Sequence, residues 1–223
     1  MERSPRVRAE RREVAENRER ILAAAEPFFT EHGLDASLHR LADEAGVGVA
    51  TLFRRFPSRD DLIRALYDRA VVRVDELAAR VAADSAPGWP SIVAFVEGAT
   101  GIVLSLPLLP ALMHRMALID PDYRPGDRWI EPLVRDIDLA HRSGDLRPDA
   151  NGYDVAGLLM ALGGFVPLGE PARTMLARRH VALVLAGLRP GAEPALPGIR
   201  EFAVEEFHLQ AHGISDGADA PQR

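Results

Sequence analysis

Between Ser37 and Asp61 the chain reads SLHRLADEAGVGVATLFRRFPSRDD, and this stretch leaves little freedom in how it can fold. Behind Ser37, a residue type that caps helix starts, Leu38, Leu41, Ala42 and Ala45 recur at helical spacing. Gly46 gives the backbone the freedom that a sharp turn demands. Val47, Leu52 and Phe56 form the inner side of a second short helix, which Pro57 ends. Ser58 and Asp61, three positions apart, make a capping box that starts a further helix. Two short helices joined by a glycine turn form a helix-turn-helix, a unit whose second helix enters a DNA major groove. Upstream, Asn17–His32 reads as an amphipathic helix with Ile21, Ala25, Phe28 and Phe29 on one face, so three helices can close a small core around the two phenylalanines. Pro27 removes one amide donor from that helix and is expected to bend it near Ala23.

The segments RILAAAEPFFTEHG and ASLHRLADEAGVGVATLFRRFPSRDDLIRALY resemble the DNA-binding domain of the TetR family of transcriptional regulators, over about Asn17–Tyr67. The resemblance implies an all-α protein: an N-terminal three-helix helix-turn-helix domain, then a helical domain that binds a small effector and dimerises through its last two helices. Outward positions of the second helix are Gly48, Val49, Ala50, Thr51, Arg54 and Arg55; with Ser37, His39, Arg40, Phe53 and Arg59 they make up the candidate DNA-facing set. Two positions depart from the family pattern. Many members carry Tyr where this chain has Phe53, and a phenyl ring cannot donate to a phosphate, so Arg54, Arg55 or Arg59 must supply more of the backbone grip. A lysine common early in the recognition helix is replaced by Val49, so with Gly48, Val49 and Ala50 at the tip, direct reading there is limited to apolar contact with thymine methyls or close backbone approach.

The net charge of −6 is unusual for a DNA binder until it is divided. Residues 1–69 carry 13 Arg and 13 Asp or Glu, so the acidity belongs wholly to residues 70–223. The stretch Met1–Arg12 holds five Arg against two Glu, and as an arm it either lies along phosphates or in a minor groove, or serves as a solubilising tail. The chain contains no cysteine, which excludes disulfides and thiolate metal sites and fits a reducing cytoplasm. Met1–Arg20 is charged throughout, unlike a signal peptide. The uncharged run Gly98–Met113 is shorter than the roughly 20 residues of a membrane helix and is broken by Pro107 and Pro110, so it reads as a buried helix.

The helix opened by Ser58 is expected to run to about Ala82, with Leu62, Leu66, Val74, Leu77 and Val81 inward, linking the two parts of the chain. After a break at Asp84–Pro90, Ser91 is positioned to cap the next helix. Two or three helices are expected across Ser91–His141, a turn at Ser143–Asp149, and a final pair at Tyr153–Phe165 and Ala172–Gly187. That pair places Leu158, Leu162, Val181, Val184, Leu185 and Leu188 at a candidate twofold dimer interface, the alternative being that they only complete the core of the single chain. Candidate effector-pocket residues are Phe95, Met113, His114, Met116, Trp129, Met160 and Phe165, an apolar set with His114 and the neighbouring Arg115 as orienting groups.

Glu201, Glu205, His208 and His212 recur at helical spacing in a pattern that can bind zinc or nickel, but over Ile199, Ala203, Phe207 and Ala211 they read as a solvated face, so no metal and no cofactor are expected. No nucleophile elbow, phosphate loop or paired carboxylates point to an enzyme. The expected organisation is a basic flexible arm over residues 1–16, the DNA-binding domain over 17–69, the effector and dimerisation domain over 70–189, and a partly disordered extension over 190–223. Taken with the family resemblance, these features imply a cytoplasmic homodimeric regulator, a ligand-responsive repressor more than an activator, on a pseudo-palindromic operator. An effector-free architectural DNA-binding dimer, or a helical enzyme or adaptor, are the alternatives.

Overall fold

The computed structural model describes residues 5–191 together with 194, 196 and 197, and their side chains from residue 12 onward. Nine α-helices succeed one another in it, with no strand among the described residues: α1 (Pro5–His32), α2 (Leu38–Glu44), α3 (Val49–Arg55), α4 (Arg59–Asp84), α5 (Trp89–Ser105), α6 (Leu109–Ile119), α7 (Asp127–Ser143), α8 (Gly152–Ala161) and α9 (Ala172–Gly187). The final residues and the Glu201, Glu205, His208 and His212 set lie outside the described residues.

The helix starts and stops follow local chemistry, with five differences from expectation. Residues 5–16, expected as a flexible arm, continue α1 without interruption, because Glu and Arg are good helix formers and Pro5 is tolerated in a first turn. Ser37 occupies the cap position of α2 in extended conformation, but its hydroxyl makes no capping hydrogen bond. Ser91 is no cap at all: α5 starts two residues earlier, behind Gly88 at φ 93°, with Pro90 in its first turn. The box at Ser58 is formed as read, the Asp61 amide donating to Ser58 Oγ at 3.1 Å and the Ser58 amide to Asp61 Oδ2 at 2.9 Å. Pro27 sits inside α1, which runs on through it to His32. The run Gly98–Met113 is not one buried helix, because Pro107 parts α5 from α6 and the two meet at 91°. No single described helix is long and apolar enough to cross a membrane. The expected helix Tyr153–Phe165 tightens after Ala161 into a short 3₁₀ turn, Leu162–Phe165, where Gly163 and Gly164 weaken α-helical preference.

Two hydrophobic cores hold these elements. The first gathers Ile21, Phe28, Phe29, Leu41, Leu52 and Phe56 around the first half of α4, then continues past Leu66 and Leu77 to α5 and α6. The expected boundary at residues 69 and 70 therefore lies inside α4 and inside this core. The second packs α5 against α7, α8 and α9 through Val96, Ile137, Val155, Leu162, Val181 and Leu185. Arg147, almost fully buried, ties the end of α9 to the α7–α8 turn: it forms a two-toothed pair with Asp149 and donates to the carbonyls of Gly187 and Pro194. Hydrogen bonds from Arg147 and from the Leu196 amide hold the Asp149 carboxyl down at a pKa of about 2.

The crossing of α4 and α5 depends on Gly98. A Cβ built there would stand 2.3 Å from Leu77 Cδ1, and Leu77 is itself buried. Gly98→Val is therefore expected to overpack the joint and to cost about 1–3 kcal/mol of stability, read as a lower urea midpoint; an unchanged midpoint would show that Leu77 can turn aside.

Candidate nucleic-acid interface and effector cavity

The helix-turn-helix presents its recognition helix, α3, by fixing the turn before it. Gly46 adopts φ 62°, the left-handed region where a side chain would be strained. Arg20, on α1, donates through Nη2 to the carbonyls of Ala45 at 3.1 Å and Gly46 at 2.7 Å, which would otherwise end α2 without partners. Arg18 lies over the Phe56 ring, 5.5 Å from its centroid, pinning the other end of α3. Neither arginine belongs to the candidate set, since nothing local in sequence links residue 20 to residue 46.

Of the candidate DNA-facing residues, Ser37, His39, Arg40, Gly48, Ala50, Phe53 and Arg54 are exposed, while Val49, Thr51, Arg55 and Arg59 are half-buried. Thr51 Oγ1 accepts from Arg54 Nη2 at 3.0 Å, so Arg54 is steadied on the outer face of α3. His39 of α2 meets the Phe53 ring edge-on at 6.3 Å, and Arg40 lies over Phe28 at 5.9 Å. Arg55 has its Nε buried without a hydrogen-bond partner. Arg59 differs most from expectation: its Nη1 donates to the carbonyls of Leu34 at 2.5 Å and Ala36 at 2.7 Å, so it braces the loop that leads into α2. Arg54→Ala is expected to cost about 1–3 kcal/mol of discrimination between operator and random DNA if the guanidinium reads a guanine edge. Arg59→Ala is expected to weaken both evenly and to lower the melting temperature, because two half-buried carbonyls lose their donor. Fluorescence anisotropy on both DNAs, with thermal melts, separates the two roles; equal losses for both variants would remove Arg54 from base reading.

Behind this domain, α4, α5, α6, α7 and α8 enclose a cavity of about 460 Å³. Phe95, Met113, His114, Trp129 and Met160 line it as expected. Met116 does not, being fully buried in the first core, and Phe165 does not, its ring packing instead against His180 at 5.6 Å. Both are at helical positions turned one step away from the cavity, which apolar character alone cannot reveal. The wall is mostly aliphatic and aromatic, with Ser91, His114, Arg135 and Asp136 as its polar members. Its size is ordinary for a small-molecule site.

The family model described as bacterial regulatory proteins, tetR family, matches residues 21–66. An HTH-type transcriptional regulator of Staphylococcus aureus is 42% identical over 53 residues, which span 23% of this chain and 29% of that protein, so the curated relatives are matched over less than a third of their length. Similarity over nearly the whole fold comes from a TetR transcriptional regulator of Streptomyces coelicolor, 33% identical with a TM-score of 0.52, covering 78% of this chain and 99% of that one. The chain belongs to the TetR family of transcriptional regulators. The ketosteroid transcriptional regulator of Mycobacterium tuberculosis shares the fold, with a TM-score of 0.64 at 17% identity over 77% of this chain and 94% of that one.

In this TetR family member the helix-turn-helix and the cavity are joined along α4 by a row of polar contacts. Asp60, in the first turn of α4, accepts from Arg115 Nη2 at 2.9 Å and Nε at 3.2 Å. One turn on, Arg64 donates to Asp120 at 2.5 Å; then Asp68 accepts from the Tyr123 hydroxyl at 2.7 Å, and Asp75 from Trp129 Nε1 at 3.0 Å. Arg115 follows the cavity residues Met113 and His114 on α6, and Trp129 is itself cavity wall. Tyr67 packs edge-on against Tyr123 within this seam, and burial pushes its hydroxyl up to about 12.

The candidate dimer residues lie elsewhere than expected. Leu158, Leu162, Val181, Leu185 and Leu188 are buried in the protomer's own second core, with Val184 packed against it. What α9 leaves exposed is Met175 and Leu183, each 61% accessible, and Leu176, with Met160 and Leu168 on the preceding elements. The exposed residues of α9 lie on the opposite face of the helix from this core.

Proposed function

We propose that this TetR family regulator acts in the cytoplasm as a homodimeric repressor that holds a pseudo-palindromic operator until a small molecule enters the cavity between α4 and α8. The observation that carries this reading is the placement of the cavity: its α6 wall continues into Arg115, which grips Asp60 one residue after Arg59, the brace of the loop leading into α2. A ligand that fits the cavity better in one arrangement of α4 and α6 than in the other changes operator affinity by that difference in binding free energy. The exposed apolar side of α9 supplies a surface for a second copy, and two readers one helical turn apart give palindromic selectivity.

The test is selection of bound sequences from random DNA, followed by footprinting on the recovered site. Paired half-sites with centres about 10 base pairs, or a multiple of that, apart are expected. A single unpaired site would reject the dimeric operator. An architectural, effector-free role is disfavoured by the cavity itself, since a helical domain that only dimerises has no use for 460 Å³ of apolar space.

A further inference from the structure

The lining and charge of the cavity wall narrow what it accepts, and we propose that the ligand is a largely apolar, uncharged molecule whose hydroxyl or other hydrogen-bond donor ends at Asp136. The identity of the ligand class builds on the cavity as effector site, but it is measured without DNA. Lining residues on α5 run from Ser91 to Val103, about 18 Å of helix, so an extended apolar ligand can lie along that wall.

One polar cluster marks an end of it. Asp136 is 5% exposed and is held rigidly: Oδ2 accepts from Ser91 Oγ at 2.7 Å and Oδ1 from the Gly88 amide at 3.2 Å. Arg135 approaches Oδ1 to 3.6 Å through Nη2, with most of its side chain in solvent. A carboxylate offers about four acceptor directions and the hydrogen bonds from Ser91 and Gly88 take two, so Asp136, which lines the cavity, keeps acceptor capacity for a donor arriving from it. Charge decides the class. The carboxylate and the guanidinium stand side by side, so a cationic ligand at Asp136 would sit beside Arg135 and an anionic one at Arg135 beside Asp136, each against a like charge. A neutral donor meets neither repulsion and keeps the pair intact. His114, on α6, is the other ionisable wall residue, and an anion drawn to it would show in the same experiment.

The experiment compares dodecan-1-ol, dodecanoate and dodecylammonium, identical but for the head group, at low-micromolar concentration. Trp89→Phe leaves Trp129 as the sole tryptophan, and its emission reports occupancy of the wall it lines. The alcohol is expected to bind about ten-fold more tightly than either ion. Asp136→Asn is expected to reverse the order in favour of dodecanoate, by leaving Arg135 unbalanced, and Arg135→Ala to favour dodecylammonium. A purely structural Asp136 would lower stability without exchanging head-group preference, and the exposed Arg135 gives a second variant if Asp136→Asn fails to fold. Tighter binding of either ion by the parent chain, absence of binding by all three, or an unchanged order in both variants would overturn the proposal. Ala99→Phe, which fills the cavity, is expected to exclude all three probes; if it leaves operator affinity untouched while the alcohol still binds the parent chain, the effector reading fails and the ligand class stands.

Discussion

Leu183→Arg is expected to give a folded monomer whose operator affinity is lower by about a hundred-fold or more, because two linked readers bind with the avidity that one lacks. Leu183 is 61% exposed, so the arginine meets water in the monomer and an apolar seam only in the dimer. Leu185→Arg, two residues on, is expected to behave quite differently. Leu185 is 8% exposed within the second core, and an unpaired guanidinium there costs about 4 kcal/mol or more, enough to unfold α7, α8 and α9. Sedimentation velocity and circular dichroism melts distinguish the outcomes. A persistent Leu183→Arg dimer of unchanged operator affinity would place the interface elsewhere, and a well-folded Leu185→Arg chain would mean that the second core is looser than its packing implies.

Arg115→Ala is expected to keep operator binding but to lose most of the response to a filled cavity. The Arg115–Asp60 pair is more than a third exposed on both sides, so its loss costs little stability, about 0–1 kcal/mol. Its value is positional, since it fastens the cavity-bearing helix α6 to the first turn of α4. Ala99→Phe can stand in for a ligand, and in the parent chain it is expected to weaken operator binding by about 5- to 150-fold. Combined with Arg115→Ala, that factor is expected to approach one, a coupling that a double-mutant cycle measures directly. An undiminished factor would mean that the α4 wall at Val74, Ala78 and Val81 transmits the change alone.

What could be read from sequence was what lies close along the chain. The Ser58–Asp61 box, the left-handed Gly46, and the buried run Leu38, Leu41 and Ala42 are each decided within one or two helical turns, where periodicity and capping rules operate. Arg20 on the Gly46 carbonyl, Arg59 on Leu34 and Ala36, and Leu77 over Gly98 join residues more than 20 positions apart, and no spacing rule connects them. The α9 assignment failed for a different reason. Ala177, Val181 and Leu185 make one apolar face, and Met175, Leu176 and Leu183 lie around Arg179 on the other, so apolar residues occur on both sides and their pattern alone does not say which side the chain's own core covers. The cavity set was five-sevenths legible because large apolar and aromatic residues cluster there; Met116 and Phe165 share that chemistry but serve the cores.

Three consecutive residues at the start of α4 each hold a different partner: Arg59 the loop before α2, Asp60 the arginine of α6, and Asp61 the cap of α4 itself. The near end of α4 therefore cannot move without carrying the DNA-facing helices with it, and the 26 residues behind it act as a lever about 39 Å long. Tilted by about 5° around its far end, such a lever displaces its tip by about 3.4 Å, which is the axial step from one base pair to the next. In the proposed dimer a rotation of that size, accommodated by sliding in the first core where α4 meets α5 and α6, would put one recognition helix a full base pair out of step with the other.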